Sequence, residues 1–157
     1  MVFPDVFTRV SNAQDLAEIG TTVVSTNSIP LSDSASYLRD IGGGGHVRMR
    51  FYCNTAITGM TSVAFEVILA SDSALTSNLL LLQSSGAVVA ADTTAGAWFD
   101  VAIPDVSKTL GDAALRRFLG ARYTIVGTVS AGSVTASIVN ASVTGGHRKF
   151  VTGYTGP

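Results

Sequence analysis

Apolar and polar residues alternate with period two along much of this chain, the pattern of strands with one dry face. The clearest case follows four consecutive glycines, Gly42 to Gly45. There Val47, Met49, Phe51 and Cys53 fall on one side and Arg48, Arg50 and Tyr52 on the other. No Lys-Ser or Lys-Thr follows the glycines, and a strand rather than a helix comes next, so a phosphate-gripping loop is not the reading. Residues 61–70 alternate again, with Val63, Phe65, Val67 and Leu69 opposite Ala64, Glu66 and Ile68. So do residues 97–103, where Phe99, Val101 and Ile103 oppose Trp98, Asp100 and Ala102 before Pro104 closes the run. A long strand is predicted over 116–126 with Leu119, Ala121, Tyr123 and Ile125 inward, and a return strand over 133–143 with Val134, Ala136 and Ile138 inward.

Weaker signals fill the gaps. Residues 11–18 predict a short helix capped by Ser11 or Asn12. Residues 22–26 read as a strand, and Pro30, with no N–H to donate, places the next segment at a sheet edge. Residues 54–60 read as a turn-rich link and 128–132 as a turn. The apolar runs 79–83 and 87–91 read as two separate short strands. About eight closely spaced strands with almost no amphipathic helix pattern predict an all-β fold, a jelly-roll-like antiparallel β-sandwich. The predicted organisation is an N-terminal arm over 1–10, the sandwich over 11–145 and a C-terminal tail over 146–157.

Composition sharpens this picture. Hydrophobic residues make up 46% of the 157 positions, charged residues only 13%, and the mean hydropathy is +0.39. That charge content is about half of what a soluble domain carries. No apolar run approaches the roughly 20 residues of a membrane helix, so the expectation is a chain that buries surface in protein partners, with no membrane. No secretion signal is read at the start of the sequence. A net charge of −1 argues against nucleic-acid binding. The charge is nevertheless polarised: −1 over residues 1–50, −5 over 51–115 and +5 from Arg116 onward. Such asymmetry suits docking to like copies or to an acidic surface.

Chemistry is scarce. One cysteine excludes an internal disulfide, and Cys53 on an inward face reads as a small hydrophobe. With two histidines and one cysteine in the chain, no metal site or cofactor is expected. No motif for nucleophilic, zinc or dinucleotide chemistry occurs. Glu66 and Asp100 could serve as a glycosidase pair only if brought within about 5–10 Å across a sugar. Trp98, Tyr52 and Tyr123 could form a sugar-stacking platform, with core or interface packing as the competing use. Asn140-Ala141-Ser142 fits a glycosylation acceptor, a coincidence if the chain is not secreted.

Several short segments, in order, carry a family likeness. They are Ser11-Asn12-Ala13-Gln14, Ser25-Thr26-Asn27-Ser28-Ile29-x-Leu31, Arg39-Asp40-Ile41-Gly42-x-Gly44 and Ala70-Ser71-Asp72-Ser73-Ala74. Arg117-Phe118-Leu119 with Tyr123-Thr124-Ile125, and the return segment 132–139, continue the series. Together they resemble the small jelly-roll capsid cement (decoration) proteins of tailed bacteriophages. The arm over 1–10 and the tail from His147 are longer than that family's pattern.

The resemblance implies a non-enzymatic virion protein on the outer surface of the capsid, made in the host cytoplasm. It would act as a homo-oligomer, dimer or trimer, that bridges and stabilises major capsid proteins. On that reading Phe3 and Phe7 are apolar anchors for the neighbour, while Arg116, Arg117, Arg148 and Lys149 pair with its carboxylates. The competing expectations are arms folded back on the sandwich and arginines that merely guard a sheet edge. A carbohydrate- or receptor-binding module of a virion is the alternative function.

Overall fold

The computed structural model describes residues 9–17, 20–31, 47–104 and 117–140. Seven strands occur there: β1 (Arg9–Asp15), β2 (Thr22–Val24), β3 (Ile29–Pro30), β4 (Val47–Ala70), β5 (Leu80–Val89), β6 (Trp98–Ala102) and β7 (Phe118–Asn140). One 3-10 turn, Ala90–Asp92, follows β5. Every pairing is antiparallel. The two long strands run side by side for their whole length, from Val47↔Asn140 to Ala70↔Phe118. Short strands flank them: β6 and β1 pair with the first half of β4 and the last half of β7, while β5, β2 and β3 flank the other end.

The sheet does not stay flat. Phe51 and Phe65 both belong to β4, and on a straight strand they would lie about 46 Å apart. Their ring centroids are 5.1 Å apart. The strand pair therefore folds over, and its two ends pack face to face as the two layers of an all-β sandwich. The bend lies where the ladder is irregular: register shifts run from Cys53 to Ser62 on β4, opposite residues 126–134 of β7. Extra residues in one strand bend it and increase its twist. Residues 54–60 and 128–132 are thus not the predicted link and turn; they are one bulged corner, in which both strands continue.

The corner is braced. Ile57 N–H donates to the Thr93 carbonyl at 3.0 Å, and the buried Thr93 hydroxyl donates back to the Ile57 carbonyl at 3.1 Å. Thr55 and Ser133 hydroxyls meet at 3.0 Å, and Thr58 and Ser130 hydroxyls at 3.2 Å. Gly59 has φ +87°, and a Cβ there would lie 2.7 Å from the Thr128 carbonyl oxygen and 2.9 Å from the Ser130 nitrogen. Only glycine satisfies both demands.

Between the layers lies a four-ring cluster. Phe51 and Phe99 come from one layer, paired across β4 and β6, and Phe65 and Tyr123 from the other, paired across β4 and β7. Phe65 stacks on Phe99 at 4.9 Å, and Tyr123 stands edge-on to Phe51 at 5.8 Å. Such pairs are worth roughly 0.5–1.5 kcal/mol each beyond their buried area. The Tyr123 hydroxyl donates to Ser11 Oγ on β1, in the opposite layer, at 2.8 Å. Met49, Cys53, Val63, Val67, Leu119, Ala121 and Val134 complete a fully buried interior around it.

Two further expectations are corrected. Residues 11–15 form strand, not helix, and β1 begins at Arg9 with Val10 buried, inside the segment assigned to the arm. Pairing with β7 overrides the local cap signal. The Ser11 hydroxyl donates to Gln14 Oε1 at 2.8 Å, a side-chain bond rather than the side chain-to-backbone bonds of a helix cap. Gln14 also ties the bulged strand to the chain after β2: its Nε2 donates to the Val24 carbonyl and its Oε1 accepts from Thr26 N–H. Likewise 80–89 is one edge strand, not two, with Gly86 at φ +74° beside its register shift.

Gly59→Ala should lower stability by about 2 kcal/mol or more, through backbone strain plus the clash across the corner. Gly86→Ala, at a similar φ but with nothing within 4 Å of the added Cβ, should cost only about 1 kcal/mol. Urea unfolding of the two variants checks this; equal losses would mean that the corner is not crowded as described.

Candidate functional site

Because the interior is filled with side chains, what the molecule offers a partner is its two outward sheet faces. On the β4–β6 layer the outward residues of β4 are Arg48, Arg50 and Tyr52, each with register partners on both sides. Tyr52 lies between Trp98 and Thr135, Arg50 between Asp100 and Ser137, and Arg48 between Ala102 and Val139. Arg9 extends the middle row beyond Ser137. Cross-strand neighbours sit about 4.5–5.5 Å apart, so these side chains form one continuous surface.

Its geometry is fixed by a two-pronged ion pair. Arg50 Nε and Nη2 donate to Asp100 Oδ1 and Oδ2, each at 2.7 Å. The guanidinium lies 4.1 Å from the centroid of the Trp98 ring. Hydrogen bonding to Asp100 pushes the Arg50 pKa up, so its charge is permanent. Trp98 remains 54% exposed and Tyr52 42%. Large aromatic rings this exposed, yet held in place from below, are what a partner would bury. Arg48 is half-buried, and its Nε is sealed from solvent without a hydrogen-bond partner.

The outward face of the other layer is apolar. Val89, Ser62 and Val126 form one row and Leu81 with Ile68 another, and Val89, Val126, Leu81 and Leu79 are all exposed. Between these rows sits an ion pair: Glu66 accepts from Arg122 Nε at 2.6 Å and from the Thr124 hydroxyl at 2.9 Å. At its far end the loop after β4 folds back, so that Leu75 covers Ile68 and Ala70. The Asp72 carboxylate shapes that loop. It accepts from the Thr76 hydroxyl and from the Thr76 and Ser77 N–H groups, bonds that hold its pKa below the usual carboxylate value.

Several residues singled out in the sequence find their places. Glu66 and Asp100 are each tied into an ion pair, on outward faces of different layers. Tyr123 is buried in the aromatic cluster, its pKa pushed up by desolvation, so it belongs to no surface platform. Trp98 and Tyr52 are side by side and exposed. Of the predicted neighbour contacts only Arg117 is described: it is half-buried and its carbonyl accepts from Leu31 N–H at 2.7 Å. Phe3, Phe7, Arg116, Arg148 and Lys149 lie outside the described residues, as do the four glycines. No cluster of metal-ligating side chains occurs among the described residues. A hollow of about 350 Å³ opens at the corner, lined by Asp15, Thr55 and the bulged part of β7 around Ser130 and Ser133.

A family model described as Bbp16 matches residues 10–138, most of the chain and nearly all of its described strands. No curated protein matches it.

Cys53 is wholly buried, and desolvation pushes its thiol up from 9.0 to about 11. The folded protein should therefore resist thiol-specific labelling at pH 8 and react only on unfolding. A raised folded-state pKa contributes stability below pH 9 that is lost as pH climbs towards 11. Urea midpoints should fall over that window in the native chain and fall less in Cys53→Ala; rapid labelling of the folded protein would contradict the burial.

Proposed function

The chain belongs to the Bbp16 family, a family of phage type, and from that premise we propose that it is a capsid cement protein. In this reading it is a non-enzymatic virion component that binds the outside of the head and bridges neighbouring major capsid proteins. The observation that carries the proposal is the pair of outward faces: one bears Trp98, Tyr52 and three arginines, the other an exposed apolar row. A rigid body with two unlike adhesive faces is what a bridge between neighbours requires. Many such contacts repeated over a lattice give avidity that no single one needs. The low charge content suits a chain that buries much of its surface in other proteins, itself included. Phe3 and Phe7 in the arm, and Arg116, Arg117, Arg148 and Lys149, remain the proposed reach to neighbours.

A second reading keeps one specific observation in its favour. Trp98 and Tyr52 stand exposed on adjacent strands, the arrangement a sugar-stacking platform uses, although Tyr123 is excluded from it.

The test is to mix purified protein with heads of its virus that lack it, sediment them, and challenge them with heat. Saturable binding that raises the heads' resistance to rupture is expected. Deleting residues 1–8, which leaves β1 entire, should preserve folding and weaken binding. Absence of any binding by the full chain would overturn the cement reading, and a selective signal on a glycan array would then favour the second.

A further inference from the structure

The cement reading does not say which side of the sandwich meets the shell, and the two outward faces differ enough to decide. We infer that the Arg48–Arg50–Tyr52–Trp98 face docks onto the shell, and that its partner there is an acidic protein surface with an apolar socket for the Trp98 indole. The inference rests on the cement reading and adds the surface and its chemistry.

Three observations carry it. First, the face holds the three residue types that dominate binding hot spots, Trp, Tyr and Arg, grouped on adjacent strands. The large hydrophobic residues exposed on the Leu81 and Val89 side are all aliphatic. Second, the anchor is preorganised. The Trp98 ring lies against a guanidinium that is itself clamped at two points by Asp100, so little side-chain freedom is left to lose on docking. Third, the charge is unbalanced in one direction. Arg50 is neutralised by Asp100, but Arg48 has no carboxylate partner among the described residues and its Nε is sealed from water. A partner carboxylate at Arg48 would complement the face electrostatically.

The same geometry disfavours a sugar as the occupant. Both Asp100 oxygens are already bonded to Arg50, which takes up part of the acceptor capacity beside the ring. Small-ligand sites are concave, and the hollow described at the corner is lined by neither Trp98 nor Tyr52.

The experiment compares head binding of the native chain with Trp98→Ala, Arg48→Glu and, on the opposite face, Leu81→Gln. Circular dichroism and urea midpoints confirm that each is folded; should Arg48→Glu fail to fold, the exposed Trp98 still decides. The expected result is an affinity loss of about ten-fold or more for Trp98→Ala and a comparable loss for Arg48→Glu. Leu81→Gln, on the face left for contacts between neighbouring copies, should lose clearly less than either, and a loss as large as theirs would overturn the choice of face. Native-like binding by both Trp98→Ala and Arg48→Glu would overturn this inference while leaving the cement role standing. No binding by the native chain would overturn both. A glycan-array signal abolished by Trp98→Ala, with head binding unchanged, would reassign the face to a sugar.

Discussion

The contact between Phe51 and Phe65, two rings of one strand brought within 5.1 Å, is the constraint from which the rest of the molecule follows. A strand that meets itself must have folded over, and its long partner β7 must have folded with it. The fold then needs a corner that tolerates positive φ and close backbone approach, which Gly59 and its neighbours provide. It also needs an apolar filling between the layers, which the four aromatic rings provide. The buried Tyr123 hydroxyl is satisfied by its bond to Ser11 across the interior.

The folded-over sheet also sets what faces outward. In a sandwich each strand turns alternate residues outward, and the two layers turn theirs to opposite sides of the molecule. The polar-side residues of early β4 and of late β4 therefore end up on different surfaces, although they share one strand. Early β4 contributes Arg48, Arg50 and Tyr52; late β4 contributes Ser62, Ala64 and Glu66. The bend thus turns a sequence difference within one strand into two chemically distinct faces. That separation is the structural basis for reading the protein as a bridge.

Much of this was legible from period-two alternation. The inward sets Val47-Met49-Phe51-Cys53, Val63-Phe65-Val67-Leu69 and Leu119-Ala121-Tyr123-Ile125 are buried as the pattern required. What alternation could not show was continuity. Residues 54–60 and 128–132 carry Gly, Thr and Ser, the composition of a turn, yet each is bridged by hydrogen bonds to the other, which local sequence does not reveal. The helix expected over 11–18 failed for a related reason, since β7 supplies a long-range pairing that a local cap signal cannot outweigh. Of the functional surface, Trp98 and Tyr52 were legible as a candidate platform. Their junction with Arg50 and Asp100 was not, because it depends on the β4–β6 register. The buried position of Tyr123 was half legible: its strand face was right, and only a surface role for it was misplaced.

The most direct test of the account is a cryo-electron microscopy reconstruction of heads carrying this protein, at a resolution that shows strands. The account predicts a two-layered β density on the outer surface with the β4–β6 face, and the Trp98 ring, turned towards the capsid protein. Density in which the Leu81 and Val89 face meets the shell, or heads that carry no such density at all, would contradict it.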